Sequence, residues 1–323
     1  MEFLTIKNEL EYSAARYRLK QELEGLFVQS GYTQIEPPIF DEYDSYVAVN
    51  SGINKKQLVK LIGGSSKVLI LRPDTTINVL RSLIPRWQAG DKLKLFYNST
   101  IYRNRRDNSI KETKQLGIEY LGEESLTADR EVMELALTIL RKYNQGFLLE
   151  LGSSKYIGGL LAEITNQEQI ITLKQLLARK NQPELTRYLA TLELAPAIRD
   201  ALTALLTLQG NLHTVLTAAD KYCINDEMKA AVKELDSLAT TVEQNGSTEN
   251  IHLDLSMITE LDYYDGVIFK GYFPNSNYDI LSGGRYDSLT ALFGKCLPAI
   301  GFSINLDKLL WSLLEGGDAN WNI

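Results

Sequence analysis

The stretch 261–308 decides which fold this sequence predicts. Its informative segments are Leu261-Asp262-Tyr263-Tyr264, Val267-Ile268-Phe269, Ser282-Gly283-Gly284-Arg285-Tyr286-Asp287 and Pro298-Ala299-Ile300-Gly301-Phe302-Ser303-Ile304-Asn305-Leu306-Asp307-Lys308. They predict two strands, followed by a third strand that leads into a helix. Because successive side chains of a strand point to opposite faces, Tyr263 and Tyr264 are not expected to line one flat surface. Paired glycines let a ligand or backbone come close, so the stretch predicts an aromatic-walled pocket on a sheet floor.

Length and charge narrow the class of protein. A chain of 323 residues with 44% hydrophobic residues can bury one large core, or a core and a satellite domain. Its 34 basic and 41 acidic residues leave a net charge of −7, whereas nucleic-acid-binding domains usually carry a basic stripe. The charge balance therefore argues against tRNA binding.

The sequence carries no pattern for a metal, a membrane or export. Cys223 and Cys296 are its only cysteines, and their isolation supports neither a disulfide framework nor a zinc site. No segment approaches the roughly 18 apolar residues of a membrane span, and the N-terminus lacks a signal-peptide pattern. The stretches Gly63-Gly64-Ser65-Ser66-Lys67 and Gly152-Ser153-Ser154-Lys155 lack the spacing of a phosphate-binding loop and are expected to be turns. We expect a cytoplasmic protein without a metal or cofactor.

The N-terminal part predicts a helix and then an extended segment. An amphipathic helix is expected over 11–31, where the apolar side chains at near-helical spacing are Tyr17, Leu19, Leu23, Leu26 and Phe27. Residues 32–40 contain Pro37 and Pro38, which exclude a helix and favour a rigid edge or turn.

A short apolar strand over 67–71 precedes Arg72-Pro73-Asp74-Thr75-Thr76. The residues from Ile77 to Leu83 predict a helix with a threonine cap. On this pattern alone, Asp74 and the threonines are equally well explained as turn and capping residues.

A β-hairpin is predicted from strands over 94–105 and 111–121. With a period of two, Arg103 and Arg105 share one face of the first strand, and the second strand presents Gln115, Gly117 and Glu119 on one face. Gly117 is expected to leave an open space for a ligand. A strand with a solvated polar face would show the same pattern.

In the stretch 261–308, the segment 72–76 and the hairpin, the chain resembles histidyl-tRNA synthetases, a class II family. The segments of 261–308 resemble the family's histidine-binding loop and third motif. The resemblance implies an α+β fold, with a class II aminoacyl-tRNA synthetase-like antiparallel sheet flanked by helices and a helical insertion. It implies core segments at 1–160 and 248–323, an insertion at 161–247 rich in Leu, Ala, Lys and Glu, and no anticodon-binding domain. The segment with Pro37 falls at the first class II motif, which implies a homodimer.

The resemblance assigns a set of histidine-binding positions. The side chains that match the family's amino-acid pocket are Asp74, Thr76, Gln115, Glu119, Tyr263, Tyr264 and Tyr286. Carboxylates suit an ammonium and an imidazole N–H, and tyrosines suit the ring. Two carboxylates beside one cavity cost free energy of desolvation unless a cationic or donor-rich ligand, or water, forms hydrogen bonds with them.

On the ATP side the chain departs from the family. Arg105 replaces a glutamate that recognises adenine, and Thr113 replaces a phenylalanine that stacks on it. Thr259 replaces an arginine of the family, and Lys308 replaces the arginine at the end of the family's third motif. Arg103 is kept, so Arg103 and Lys308 are the residues expected to retain a phosphate contact. Adenylation needs positioned cations, so the pattern predicts a chain without catalytic residues.

This combination resembles the family's paralogues that serve as regulatory subunits of short-form ATP phosphoribosyltransferase. It implies a hetero-octamer with the catalytic subunit, activation of that subunit, and feedback inhibition by L-histidine in histidine biosynthesis, with no tRNA and no membrane among its partners. Two alternatives stay open at this point: a synthetase-like enzyme that acylates a non-tRNA acceptor, and a free-standing histidine sensor.

Overall fold

The computed structural model describes most of the chain. The described residues are 5–50, 53–64, 67–244, 246, 248–259, 263–274 and 276–315. Leu261 and Asp262 of the quoted stretch, Ser65 and Ser66 of the first predicted turn, and the tail from residue 316 lie outside this part.

The described residues form twelve α-helices and twelve strands. The helices are α1 (Ile6–Gln29), α2 (Tyr43–Val49), α3 (Thr75–Leu83), α4 (Ser125–Tyr143), α5 (Ser154–Ala162), α6 (Gln167–Ala178), α7 (Gln182–Ala190), α8 (Pro196–Leu205), α9 (Leu212–Asp220), α10 (Asp226–Gln244), α11 (Asp287–Ala291) and α12 (Leu306–Glu315). The strands are β1 (Thr33–Gln34), β2 (Phe40–Glu42), β3 (Lys60–Ile62), β4 (Val68–Leu71), β5 (Leu93–Asn104), β6 (Ile110–Leu121), β7 (Leu148–Ser153), β8 (Gln209–Gly210), β9 (Ile251–Asp254), β10 (Val267–Tyr272), β11 (Leu281–Arg285) and β12 (Ala299–Asn305).

A large sheet forms the floor of the fold. Its nine strands lie in the order β1-β5-β6-β12-β11-β10-β7-β9-β8, and a smaller sheet has the order β2-β4-β3. Neighbouring strands are antiparallel except in the pairs β1/β5 and β7/β9, which are parallel. Helix α4 packs against β12, and α10 packs against α4 and α5. The predicted α+β class is confirmed, with a mixed sheet in place of a purely antiparallel one.

The predicted hairpin is confirmed to within one residue at each end. Strands β5 and β6 pair over their whole length, with Tyr97 opposite Gly117 and Arg103 opposite Lys111. In the connecting loop, Asn108 adopts a φ of 61°, a conformation that asparagine tolerates better than most residues. The stretch 261–308 also folds as predicted over β10, β11, β12 and α12, with the short helix α11 inserted before β12.

Helix α1 follows the predicted amphipathic pattern with one exception. Leu19, Leu23 and Phe27 are fully buried, but Tyr17 is 58% exposed, so its assignment to the buried face is wrong. Gly31, with a φ of +83°, follows the end of the helix. Such a conformation favours glycine, which explains why the helix stops there.

Arg72 anchors the extended segment that follows α1. It is buried, and its Nη1 donates to the carbonyl oxygens of Pro37 at 2.7 Å and Pro38 at 3.0 Å. Its Nη2 donates to the carbonyl oxygen of Thr100 at 3.0 Å. The two prolines therefore present backbone acceptors to a buried cation, which holds this segment against β5.

The residues of the predicted insertion form helices α6 to α10. Asn166 and Asn181 cap α6 and α7, and Pro196 lies in the first turn of α8, where a missing N–H costs nothing. Their buried leucines join the hydrophobic cluster that covers the reverse face of the large sheet, and β8 pairs with β9 at its edge. The boundaries at residues 161 and 247 stay a prediction.

The prediction of a turn at the second glycine-serine-lysine stretch, residues 152–155, is wrong. Residues 152–155 lie where β7 ends and α5 begins, and the Ser153 hydroxyl caps α5 by accepting from the N–H of Tyr156. Over the described ranges, no helix is long and apolar enough to cross a membrane.

Candidate ligand-binding site

A cavity of about 490 Å³ lies on one face of the large sheet. Strands β5, β6, β10, β11 and β12 form its floor, and the start of α3 and the turn at residues 263–264 form its walls. All nine side chains that the sequence singled out for ligand contact line it: Asp74, Thr76, Arg103, Gln115, Glu119, Tyr263, Tyr264, Tyr286 and Lys308. The fold therefore gathers residues from three separate parts of the chain, 74–76, 103–119 and 263–308, around one space.

Strand register brings Glu119 into the cavity beside a glycine. Glu119 on β6 lies opposite Gly301 on β12, and a Cβ at Gly301 would lie 2.2 Å from the Glu119 Oε2 atom. Any larger residue at position 301 would displace the carboxylate. The glycine in this third motif segment therefore makes room for Glu119.

Glu119 is a buried carboxylate with two hydroxyl donors. Thr76 Oγ1 donates to its Oε1 at 2.7 Å, and the Tyr286 hydroxyl donates to its Oε2. Burial raises the pKa of Glu119 to about 8, and nearby Asp74 adds to the rise, while the two hydroxyl donors oppose it. Ionised Glu119 would become favourable when a cation or further donors enter the cavity.

Asp74 is both a helix cap and a cavity residue. Its Oδ1 accepts from the N–H of Ile77 at 2.9 Å, so Asp74, and not a threonine as predicted, caps α3. Its Oδ2 accepts from the Tyr263 hydroxyl at 3.3 Å. Burial raises its pKa, and the backbone N–H of Ile77 and the Arg103 charge counteract that rise. The helix thus fixes one oxygen and leaves the other to the cavity.

Three tyrosines form the aromatic wall. The rings of Tyr263 and Tyr264 are 4.9 Å apart, and those of Tyr263 and Tyr286 are 6.0 Å apart in an edge-on arrangement. Tyr263 and Tyr264 lie in a turn and not in a strand, so both reach the cavity and the predicted alternation is wrong. Gly284 admits the Tyr264 ring, because a Cβ at position 284 would lie 2.8 Å from its Cδ1.

Tyr97 is a cavity residue that the sequence did not indicate. It lies opposite Gly117, and a Cβ at Gly117 would lie 2.3 Å from the Tyr97 hydroxyl oxygen. The space predicted above Gly117 is therefore filled by Tyr97. A usable signal existed, because Tyr97 lies six residues before Arg103 on the same face of β5.

The cavity opens toward the hairpin loop. Arg103, Arg105, Lys111 and Thr113 line this open end, and the Arg103 Nε donates to the carbonyl oxygen of Pro73 at 3.4 Å. Lys111 lies eight residues before Glu119 on β6, which is about 27 Å along a strand. We call the part around Glu119 and Asp74 the closed end and the part around Arg105 and Lys111 the open end.

Lys308 lies beside a carboxylate that the sequence did not indicate. Its Nζ donates to the Asp279 Oδ1 at 2.8 Å and to the Asp279 carbonyl oxygen at 3.1 Å, and it lies 5.4 Å from the centre of the Tyr278 ring. Asp279 and Lys308 both line the cavity. The charge of Lys308 is therefore already paired in this structure.

The closed end is equipped to bind a small molecule with cationic or N–H groups. Its carboxylates accept hydrogen bonds, and its tyrosines offer flat apolar faces. In the part of the chain that the structure describes, no cluster of three or more His, Cys, Asp or Glu side chains could hold a metal ion. The carboxylates and tyrosines of the closed end favour recognition of an organic ligand.

Comparison with known proteins agrees with this architecture. The histidyl-tRNA synthetase family profile matches residues 9–309. An ATP phosphoribosyltransferase regulatory subunit from Oceanobacillus iheyensis is 33% identical over 301 residues, which cover 92% of this chain and 74% of that protein. A crystal structure described as an ATP phosphoribosyltransferase regulatory subunit/histidyl-tRNA synthetase from Bacillus halodurans C superposes with a TM-score of 0.85 at 28% identity, covering 94% of this chain and 80% of that one.

A more distant likeness concerns the fold alone. A chain of the ATP phosphoribosyl transferase (HisG:HisZ) complex from Thermotoga maritima superposes with a TM-score of 0.69 at 18% identity, covering 90% of this chain and 97% of that one.

The family profile spans most of this sequence, and the relative from Oceanobacillus iheyensis exceeds 30% identity over most of both chains. The chain therefore belongs to the histidyl-tRNA synthetase family.

Proposed function

We propose that this protein is the regulatory subunit of a short-form ATP phosphoribosyltransferase, and that it binds L-histidine at the closed end of the cavity. The observation that carries the proposal is the unequal state of the two ends. The closed end keeps both carboxylates and three tyrosines around one buried space. The open end has Arg105 and Thr113 where the resemblance expects a glutamate and a phenylalanine. The relative from Oceanobacillus iheyensis supports the same role by its name.

The closed end suits the chemistry of histidine. Asp74 presents one carboxylate oxygen beside Tyr263, which suits the ammonium group of a free amino acid. Glu119 lies deeper, and its carboxylate suits an imidazole N–H. Pairing these groups with a donor-rich ligand would offset the cost of holding two carboxylates out of water.

The open end lacks the groups that adenylation requires. Without the glutamate and phenylalanine, adenine loses an acceptor and a stacking surface. Thr259 lines the cavity but cannot supply the cation expected at its position. The loss of each oriented group costs roughly 2 to 4 kcal/mol of transition-state stabilisation by analogy with other sites, so several losses together abolish activation. The subunit is therefore proposed to be non-catalytic.

The proposed assembly is a hetero-octamer with four catalytic subunits, built on homodimers of this chain. An exposed apolar face of the small sheet supports self-association, since Phe40 and Leu61 lie on the same face and are 55% and 39% exposed. The net charge of −7 supports the exclusion of tRNA as a partner. A cytoplasmic location follows from the role in amino-acid biosynthesis.

Histidine is proposed to act by favouring a less active arrangement of the complex. A ligand shifts such an equilibrium only through its different affinities for the two states. A coupling free energy of about 1 to 3 kcal/mol suffices for a useful inhibitory response.

The first test measures phosphoribosyl-ATP formation by the short catalytic subunit from the same organism. The assay is run with and without this protein, across a titration of L-histidine. We expect activity that depends on this protein and falls as histidine rises. Activity that is indifferent to both additions overturns the proposal.

Two other functions are separated by further assays. ATP-dependent pyrophosphate exchange by the purified protein would establish a synthetase-like enzyme. Histidine binding without any association with the catalytic subunit would establish a free-standing sensor. Calorimetric titration with histidine and size-exclusion chromatography with the catalytic subunit distinguish these outcomes.

A further inference from the structure

We infer that Asp265 is a positioning residue, which holds the three tyrosines of the cavity wall in one arrangement. Asp265 does not itself line the cavity. It follows Tyr264 directly in the chain and lies beside the start of α11, which Tyr286 precedes. For its effect on ligand affinity, this inference rests on the proposed binding of histidine.

Asp265 supplies the cap that α11 lacks. The N-cap residue of α11 is Tyr286, whose side chain makes no capping hydrogen bond. Instead, Asp265 Oδ1 accepts from the N–H of Asp287 at 3.0 Å, and Asp265 Oδ2 accepts from the N–H of Ser288 at 2.5 Å. These are the donors that the first turn of a helix leaves unpaired.

The same residue ties the turn to the sheet through its backbone. The Asp265 N–H donates to the carbonyl oxygen of Arg285 at 3.0 Å. Three hydrogen bonds therefore join Asp265 to residues 285–288, which surround Tyr286 in the chain. Through them, the turn that carries Tyr263 and Tyr264 is fixed relative to Tyr286.

The start of α11 is in turn fixed to the reverse face of the sheet. The Arg285 Nε and Nη2 atoms donate to Asp129 Oδ1 on α4 at 2.9 and 2.6 Å, and Nη1 donates to Asp287 Oδ1 at 2.7 Å. Asp287 Oδ1 also accepts from the N–H of Ala299 at 2.7 Å. These bonds hold the start of α11 in place. Because Asp265 is hydrogen-bonded to the start of α11, the turn that contains Tyr263 and Tyr264 is held in place as well.

The position of the turn matters because the tyrosines hold the carboxylates. The Tyr263 hydroxyl donates to Asp74, and the Tyr286 hydroxyl donates to Glu119. Displacement of one tyrosine relative to the other would change the hydrogen bonding of both carboxylates at once. A substitution at Asp265 should therefore weaken histidine binding although every residue that lines the cavity is left unsubstituted.

The test compares Asp265→Ala, Asp265→Asn and a matched control. Asn166→Ala is the control, because the Asn166 side chain also accepts two N–H bonds at a helix start, from Glu168 at 2.9 Å and Gln169 at 3.3 Å, but in the insertion. Calorimetric titration with L-histidine and amide hydrogen exchange of the ligand-free protein are measured for all variants.

We expect Asp265→Ala to weaken histidine binding at least tenfold. Asp265→Asn, which keeps one acceptor oxygen, should recover part of that loss, and Asn166→Ala should bind like the wild type. In the ligand-free protein, Asp265→Ala should speed exchange both at the start of α11 and at the amide of residue 265. Faster exchange at α11 alone, with unchanged affinity, would reduce Asp265 to a helix cap and overturn the inference.

The two proposals fail in different ways. A wild-type protein that binds no histidine contradicts the proposed function. The exchange data still judge the positioning role, because faster exchange at both places supports it and faster exchange at α11 alone contradicts it.

Discussion

The closed and open ends of the cavity differ in burial as well as in charge. At the closed end, Glu119 is 1% and Tyr286 is 2% exposed, and the ionisable groups of the binding surface are acidic. At the open end, Arg105 and Lys111 are exposed, and cations supply the charge. Exposed cations are solvated and tolerate substitution, whereas buried polar groups require specific hydrogen-bond partners. A chain can therefore lose the groups that activate an amino acid and still keep those that recognise it.

The largest effect is expected when the acidic group of Glu119 is removed. Glu119→Gln keeps the size of the side chain but removes a charge-assisted hydrogen bond, which is worth roughly 1.5 to 3 kcal/mol. The histidine concentration needed for inhibition should therefore rise about 10- to 100-fold, while activation of the catalytic subunit is unchanged. Inhibition curves of the reconstituted complex measure this shift.

Lys111→Gln is the matched control at the open end. It removes one exposed charge and should leave the histidine response unchanged. If both variants respond like the wild type, histidine acts elsewhere, for instance at a subunit interface.

A second test concerns the packing beneath the closed end. Gly117→Ala places a Cβ 2.3 Å from the Tyr97 hydroxyl and 2.8 Å from the Phe302 carbonyl oxygen, so we expect a loss of about 1 to 3 kcal/mol in the free energy of unfolding. Gly25→Ala in α1, where a Cβ meets nothing within 4 Å, should be neutral or stabilising by about 0.5 to 1 kcal/mol. Urea denaturation measures both, and equal stabilities would contradict the contact with Tyr97.

The buried carboxylate predicts how stability depends on pH. Burial raises the pKa of Glu119 to about 8 in the folded chain, above about 4.3 in an unfolded chain. Between these values the folded protein holds a proton that the unfolded chain has lost, so this group makes stability fall as pH rises, by up to about 1.4 kcal/mol per pH unit.

The measurement is urea denaturation of the ligand-free protein between pH 5.5 and 8.5. Glu119→Gln cannot ionise and should show a flatter decline than the wild type. Parallel curves for the two proteins would place the titration in another group.

The smallest effect is expected at Lys308. Its side chain is 28% and that of its partner Asp279 is 35% exposed, so the ion pair contributes about 0 to 1 kcal/mol. Lys308→Met should therefore change thermal stability by little and leave the histidine response intact. A large loss of histidine inhibition in this variant would move the binding site toward the third motif and contradict the division between the two ends.

Much of the fold was predictable because its signals are local. The hairpin of β5 and β6 follows from the alternation of apolar and polar residues and from a polar loop. Strand β12 and helix α12 follow from a hydrophobic repeat that changes from a strand period to a helix period without a break in the sequence. Strand period also places Arg103, Gln115 and Glu119 on the face of the hairpin that lines the cavity, whereas the other six predicted cavity residues lie outside the strands. Their part in binding histidine stays a prediction.

The errors occur where distant parts of the chain meet. Tyr97 fills the space above Gly117 because the hairpin register sets them opposite each other, and Asp74 meets Tyr263 across 189 residues of sequence. Local sequence patterns specify the hairpin, β12, α12 and the types of side chain available to the cavity. Which polar atoms face each other in the cavity depends on how the whole chain folds, because hydrogen bonds and close packing require distances that no local pattern encodes.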